Sequence, residues 1–499
     1  MATPKPRCYR GFRDTFAEDL LLKQELIDVV RQVYERYGFL PLETPAVEFT
    51  DVLGKFLPES DEPSGGVFSF RNPDLKKVLP ENEADLWLTL RYDLSAPLAR
   101  VVAQHAALHK PYRRYQLGTV WRHEKPGPGR FREFTQFDFD LVGSAAMAAD
   151  AECCCVIADV FEALGYSPGE YLVLVNDRKV LLGVLETIGV ADLDFTQEGG
   201  QALAVLRSID KLDQLGLAGV RELLGAGRKD QTGDFTKGAG LSAGQIEQLE
   251  KYLAIKAEQR SDVCDQLEQF VGASTVGQEG VTELREIDEL LNLSGYGADQ
   301  VLFDPTIVRG LGYYTGPVFE GVLTKEAAKN KKQQQFGSLF GGGRYDNLVA
   351  RFTGEPVPAT GASIGLDRLI EAMRASRRET SRRSTADVLV VVIESERMGD
   401  YFRLTREIRD AGINTELYLG KMRIGGQLKY ADKLDIPLAV IAGGDEFAAN
   451  TCQIKDLRLG RELAGQVESR AEWRKSHPAQ QTVPRAELVS KLQELLKTD

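Results

Sequence analysis

The chain has 499 residues, enough for about three domains at about 150 residues each, which excludes a single small module. Its 62 Lys plus Arg against 74 Asp plus Glu leave a formal charge of −12. That is the wrong sign for a nonspecific nucleic-acid coat, although a structured RNA can still meet a local basic surface. Hydrophobic content of 43% with 27% charged residues suits a folded chain with a sizeable core.

Half of the six cysteines run together as Cys153, Cys154 and Cys155. Neither their density nor their spacing suits a disulfide scaffold or a zinc site, which points to thiols in a reducing cytoplasm. Asp14, Glu18 and Asp19 fall where a secretory signal needs an apolar run, and no stretch approaches 18 apolar residues, so no membrane insertion is expected.

In chain order, the spacing of Leu22, Leu26, Val29, Val30, Val33 and Tyr37 predicts an amphipathic helix over 18–37 that Gly38 ends. Pro41 and Pro45 make 39–49 an extended, edge-like segment. A loop-rich stretch, 54–80, leads to a short strand over 86–90 that runs into Arg91, Asp93 and Ser95, with a helix beginning near Pro97. From 114 to 143 the pattern is a strand up to Arg122, a Gly and Pro turn, and a second strand from Arg130. In that second strand Gln136, Asp138 and Asp140 share one face, with Phe134 beside them. A helix over 145–164 carries the three cysteines, and an apolar strand follows at 171–175. Residues 177–300 read as a helical, charge-rich insertion with glycine breaks between 223 and 241.

Strand patterning with glycine-rich loops returns at Val301, and the polar run 325–335 reads as a solvated loop. Arg374, Arg377, Arg378, Arg382 and Arg383 mark a basic linker, 374–386. Beyond it, strands at 387–393, 415–419 and 437–441 alternate with helices at 401–411 and 425–434, which marks a compact α/β domain over 387–470. A hinge and an amphipathic helix at 486–496 make a C-terminal extension, 471–499.

The chemistry-bearing residues cluster at turns. Arg122 and Arg130 flank the glycine and proline turn, Arg309 opens a glycine turn, Arg344 follows three glycines, and Arg368 closes a glycine-bounded segment. Glycine admits close approach of a ligand, and the guanidinium fork matches phosphate and carboxylate oxygens. Such forks brought together suit a nucleoside triphosphate, held without a P-loop, since neither a P-loop nor a dinucleotide-binding fingerprint is present. Asp93, Gln136, Asp138 and Asp140 are costly to bury unpaired. Two readings stand for them: pairing to a core arginine such as Arg132, or to a substrate ammonium or imidazole. Tyr313 and Tyr314 are core aromatics or a pocket wall, and 341–343 is a structural turn or a ligand cradle. The four histidines include no metal-binding motif, and no serine nucleophile elbow occurs.

Five segments together resemble a class II aminoacyl-tRNA synthetase, specifically the histidyl-tRNA synthetase family: LRYDLSAP from Leu90 to Pro97, WRHE at 121–124 with GRFREF at 129–134, RGLGYYTG from Arg309 to Gly316, GGGRYD at 341–346 and GLDR at 365–368. The resemblance covers nearly the whole chain, Tyr9 to about Glu468. It implies an α+β class II core on a mixed, mainly antiparallel sheet (1–176 and 301–373), the helical inserted domain, and an anticodon-binding role for the C-terminal α/β domain. It implies histidine–tRNA ligase activity: ATP-dependent formation of histidyl-adenylate, then transfer to tRNA(His).

Position by position, the resemblance assigns Arg122 and Arg309 as catalytic. Arg122, Glu124, Arg130, Phe134 and Arg368 would bind ATP. Asp93, Ser95, Gln136, Asp140, Arg309, Tyr313 and Tyr314 would bind L-histidine, with Asp140 and Tyr313 reading the imidazole. No protein metal ligand is assigned; Mg2+ is expected with the phosphates. A homodimer formed through the segment from Tyr37 to Pro45 and a cytoplasmic location are also implied. Gly312 stands where the family usually has aspartate. Two other readings are a catalytically silent synthetase-like regulatory subunit of histidine biosynthesis and a non-enzymatic RNA-binding protein.

Overall fold

The computed structural model describes residues 3–53, 66–75, 86–127, 130–197, 199–229, 235–309, 313–324, 327, 337–376, 382–464 and 479–497. The expected loop over 325–335, apart from Ala327, lies outside them, as do Gly312, Arg377 and Arg378. The chain divides into two units, Met1–Asp14 with Glu25–Glu379, and Thr15–Gln24 with Thr380–Asp499.

In chain order the strands are β1 (Leu40–Pro41), β2 (Val47–Phe49), β3 (Ser69–Arg71), β4 (Trp87–Leu90), β5 (Tyr112–Trp121), β6 (Glu133–Val142), β7 (Tyr171–Asp177), β8 (Gly227–Lys229), β9 (Phe235–Lys237), β10 (Val301–Phe303), β11 (Pro317–Leu323), β12 (Phe340–Arg344), β13 (Ala359–Gly365), β14 (Val388–Val391), β15 (Thr415–Leu417), β16 (Leu438–Ile441), β17 (Thr451–Asp456) and β18 (Gln480–Pro484).

The first unit is built on an eight-stranded sheet in the order β1-β5-β6-β13-β12-β11-β7-β10. β1 runs parallel to β5 and β10 parallel to β7, while the other pairings are antiparallel, so the sheet is mixed and mainly antiparallel as expected. Its longest hairpin pairs β5 with β6 from Tyr112↔Val142 to Trp121↔Glu133. Because strand side chains alternate, Phe137 and Phe139 turn to one face, where Tyr34 meets both rings at 5.0 Å. Gln136 and Asp138 turn to the other.

The helix Ala148–Ala163 buries Cys153, Cys154 and Cys155 as it packs across β7, β11, β12 and β13. Burial raises all three thiols above the ordinary range. They behave as small core side chains rather than reactive groups. Between β7 and β10 lies the expected helical region, with β8 and β9 forming a small ribbon. There Asp177 caps the helix Arg178–Thr187 by accepting the Lys179 N–H at 2.7 Å. Thr275–Leu293 packs so closely on that helix that a Cβ at Gly183 would sit 2.4 Å from the Gly277 Cα.

The second unit has a five-stranded sheet, β15-β14-β16-β17-β18. Its central strand β14 is buried throughout, as a strand covered on both faces must be. Val388 and Val390 pack with Tyr401, Leu404 and Ile408, while Leu389 and Val391 pack with Tyr418, Ala431 and Ile436.

The expected boundary at 470/471 is corrected here. β18 pairs with β17 along its length, and the helix Leu488–Leu496 buries Leu488 and Leu492 in the same core as Val388. Residues 480–496 therefore complete this domain rather than extend from it, because β17 would otherwise present an unpaired edge. Of the basic linker, Arg374 lies in the helix Leu366–Ser376, Arg382 pairs with Asp387 at 2.6 Å, and Arg383 faces Glu18 and Asp435. No helix among the described residues is long and apolar enough to cross a membrane.

Candidate active site

A cavity of about 250 Å³ opens over the β6, β12 and β13 face of the first unit. Asp93, Ser95, Arg122, Glu124, Arg130, Phe134, Gln136, Arg309, Tyr313, Tyr314 and Arg368 all line it. The elements explain the convergence. Arg122 follows the last residue of β5, Phe134 and Gln136 alternate outward from β6, and Arg368 sits in the first turn of the helix that continues β13. Asp93 accepts the Ala96 N–H at 3.0 Å at the start of the helix Ser95–Gln104.

The cation-lined part is held by weak neutral contacts. Arg122 lies over Tyr92 at 4.3 Å and Phe134 at 5.0 Å, and its Nε donates to the Tyr92 carbonyl at 3.3 Å. Arg368 donates to the Ser338 carbonyl at 3.1 Å. Burial lowers the Arg368 pKa from its ordinary value, and Arg130, Arg122 and Arg309 lower it further. Three guanidinium groups are thus close enough to Arg368 to disfavour its charge, an arrangement that an anionic ligand relieves.

Arg309 has a left-handed backbone, φ 50°, and its Nη1 donates to Glu320 on β11 at 2.7 Å. Its carbonyl accepts from the buried Arg178. A Cβ at Gly341 would fall 2.3 Å from the Arg309 Nη2, so glycine on β12 makes room for this guanidinium.

The acidic part differs from the sequence expectation. Asp140 does not line the cavity. Its Oδ2 meets Arg114 at 2.6 Å and its Oδ1 accepts from the Tyr345 hydroxyl. The cause lies in the register: Arg114 on β5 is the direct neighbour of Asp140, and Tyr345 follows β12 into the space between Asp140 and the cavity wall. The core arginine beside Asp140 is thus Arg114, not Arg132. Asp138, one alternation nearer the hairpin's turn, does line the cavity. Arg344 is also elsewhere, pairing with the fully buried Asp150 behind β12. It had the same glycine-flanked signature as Arg309.

Asp138, Tyr345, Phe131, Ser363 and Asp367 line the cavity without having been assigned to it. Asp138 shared the face of Gln136, which was the available signal. Asp367 is occupied, accepting from Arg13 at 2.8 Å and from the Thr135 N–H at 2.9 Å. Tyr313 and Tyr314 are both mostly buried and form a pocket wall with ring centroids 4.7 Å apart. Among the described residues no group of three or more His, Cys, Asp or Glu side chains could hold a metal ion alone. The arrangement suits a ligand with phosphates against the guanidinium groups and hydrogen-bonding nitrogen against Gln136 and Asp138.

Comparison with known proteins agrees with that geometry. The family described as histidyl-tRNA synthetase matches residues 11–369, and an anticodon binding domain matches 387–495. A histidine–tRNA ligase of Cereibacter sphaeroides is 52% identical over 99% of this chain and 98% of its own length. One of Paracoccus denitrificans is 50% identical with the same coverage. Among solved structures, a histidyl-tRNA synthetase from Nostoc sp. PCC 7120 is 29% identical with a TM-score of 0.74, covering 99% of this chain and 100% of that one. Half identity along nearly the full length, on this sheet and around this cavity, places the chain in the histidyl-tRNA synthetase family of class II aminoacyl-tRNA synthetases.

Proposed function

We propose that this chain is a histidine–tRNA ligase that activates L-histidine with ATP and then charges tRNA(His). The convergence of Arg122, Arg130, Arg309 and Arg368 on one cavity, close enough for the last to be depressed by the other three, is the observation that carries this reading. In the first step a histidine carboxylate oxygen attacks the α-phosphorus. The bond to the bridging oxygen of the β-phosphate breaks, and pyrophosphate leaves with that electron pair. Positioned guanidinium groups meet the charge spread over the phosphoryl oxygens without reorganising. Arg309 spans the carboxylate and the α-phosphate, Arg122 takes the α-phosphate, and Arg130 and Arg368 take the outer phosphates.

Phe134 stacks on adenine beside Arg122. Asp93, Ser95 and Gln136 receive the amino-acid ammonium, with Tyr313 and Tyr314 walling the ring. Mg2+ held with ATP would neutralise phosphate charge in this cavity. Glu124, beside Arg122 on the cavity wall, is a suitable single protein carboxylate for it. In the second step the terminal ribose of tRNA(His) attacks the histidyl carbonyl and AMP leaves, while the second unit reads the anticodon. The working assembly is a cytoplasmic homodimer. Leu40, exposed on the edge strand β1 within the segment from Tyr37 to Pro45, supports a partner there, and Val47 and Phe49, exposed on β2, add apolar surface just after it.

Histidine-dependent ATP–pyrophosphate exchange tests the first step. Arg309→Ala is expected to lower kcat at least about 100-fold, the order lost when one transition-state donor is removed, while the protein still melts cooperatively as a folded chain. Exchange at the wild-type rate in that variant would remove Arg309 from the reaction.

A further inference from the structure

Arg309 reaches the cavity from an uncommon backbone. Its φ of 50° lies in the left-handed region, which a residue bearing a Cβ keeps only where its surroundings impose it. Glu320 orients the guanidinium, but that contact leaves the backbone to be set elsewhere. The end of β7 sets it. Asn176 is buried and donates its amide to the Pro305 carbonyl at 3.1 Å and to the Ile307 carbonyl at 3.0 Å. Arg178, equally buried, donates from Nη2 to the Arg309 carbonyl, and its own N–H donates to the Gly316 carbonyl at 3.0 Å. Arg178 therefore meets both ends of the segment 309–316, one through its side chain and the other through its main chain. Its own backbone is fixed in turn, because Asp177 caps the helix that Arg178 opens.

We propose that Arg178 is a positioning residue for histidine activation: it touches no substrate, and it holds the Arg309 backbone in the left-handed conformation that aims the guanidinium at the reacting centre. The inference rests on the reading of Arg309 as the reaction's arginine. Arg178 does not line the cavity, whereas Tyr314, whose ring lies 5.9 Å from the Arg178 guanidinium, does. The Phe195 ring lies 5.1 Å from the same group. Burial lowers the Arg178 pKa to about 9, with Arg309 adding to the effect and Tyr314, Asp210 and Asp177 opposing it. A buried cation near a second arginine is costly, and its hydrogen bond to the Arg309 carbonyl offsets that cost. The placement also joins the helical region to the reaction, since the helix Arg178–Thr187 packs against Thr275–Leu293.

The test is a double-mutant cycle read by histidine-dependent pyrophosphate exchange on the full chain. Arg178→Met, which removes the charge and the donors, is expected to lower kcat at least about tenfold while the KM values for ATP and histidine change less than about threefold. Combined with Arg309→Ala, it is expected to slow that variant by less than about twofold more, because a residue that acts through Arg309 then has nothing left to position. Arg178→Gln, which keeps a polar group at the buried site, is expected to give the same pattern and serves if the methionine variant fails to fold. A kcat near wild type in the folded Arg178 variant overturns the proposal. Losses that multiply in the double variant overturn it in favour of a general structural role. Exchange at the wild-type rate in Arg309→Ala alone instead defeats the parent reading, so the two failures are distinct.

Discussion

Glu320→Gln is expected to slow histidine activation without unfolding the protein. Glu320 projects from β11 and accepts from the Arg309 Nη1 at 2.7 Å, while Arg309 Nε has no hydrogen-bond partner among the described residues and Gly341 leaves space for the guanidinium plane. Glu320 therefore holds the fork from one side and leaves other donors for substrate. The side chains are 24% and 17% exposed, which puts the pair between the limiting cases. A surface pair contributes at most about 1 kcal/mol, and breaking a fully buried one costs about 3–5 kcal/mol. A hydrogen bond to a charged group contributes about 1.5–3 kcal/mol, and the glutamine carbonyl retains about 1 kcal/mol of it. The remaining loss of about 0.5–2 kcal/mol in orienting Arg309 corresponds to about 2–30-fold in kcat/KM for exchange.

In the proposed reaction Arg309 meets charge that develops as the α-phosphorus is attacked, so the loss should fall mainly on kcat. Steady-state exchange with ATP and histidine varied separately, alongside a thermal melt, measures both parts. A Glu320→Gln enzyme as fast as wild type would refute this argument. A faster one would show that Glu320 competes with the substrate carboxylate for Arg309.

Two further outcomes follow from the same geometry. Gly341→Ala places a methyl group where the Arg309 guanidinium lies, so exchange should fall at least about 100-fold although β12 remains paired; near-normal kcat would mean that Arg309 works from another position. In the ligand-free protein, the native state keeps a proton on Asp138 up to about 7, whereas the unfolded chain releases it near 4. Wild-type stability relative to Asp138→Asn should therefore fall as pH rises from about 4 through 7. Thermal unfolding of both proteins at pH 5 and pH 8 checks this, and a Tm difference that does not shift toward the variant at pH 8 contradicts it.

The arginine cluster was legible because guanidinium next to glycine is a local pattern, and four of the five such arginines reach the cavity. Arg344 shares the pattern but meets Asp150, a residue 194 positions earlier whose helix lies behind the sheet. Nothing local distinguishes that pairing from a ligand contact. Strand alternation likewise put Gln136, Asp138 and Asp140 on one face. It could not say which carboxylate lines the cavity, because that depends on Arg114 from a neighbouring strand and Tyr345, 205 positions later. At the C-terminus, Gln480–Pro484 carries a single buried side chain, Val483, too little periodicity to announce a strand. It becomes one because β17 offers an edge. The β14 to β16 core was easier to read, since solid apolar runs are what a strand covered on both faces requires.

The β5–β6 hairpin also sets the scale of the site. Phe134 and Asp138 lie on one face of one strand, four residues apart, and at about 3.4 Å per residue their Cα atoms are separated by about 14 Å. Arg122 lies over the ring of the first, and the second holds an unpartnered acceptor, so an aromatic platform with its cation and a hydrogen-bonding terminus are fixed on the same rigid element. A ligand that joins a purine to an imidazole through a phosphate and a carboxyl group needs its two ends specified and its middle met by positive charge. Arg309 enters that middle from a different segment, and its guanidinium is fixed by Glu320 on β11 and by the room that Gly341 leaves on β12, so the centre as well as the ends is set by neighbouring strands of one sheet.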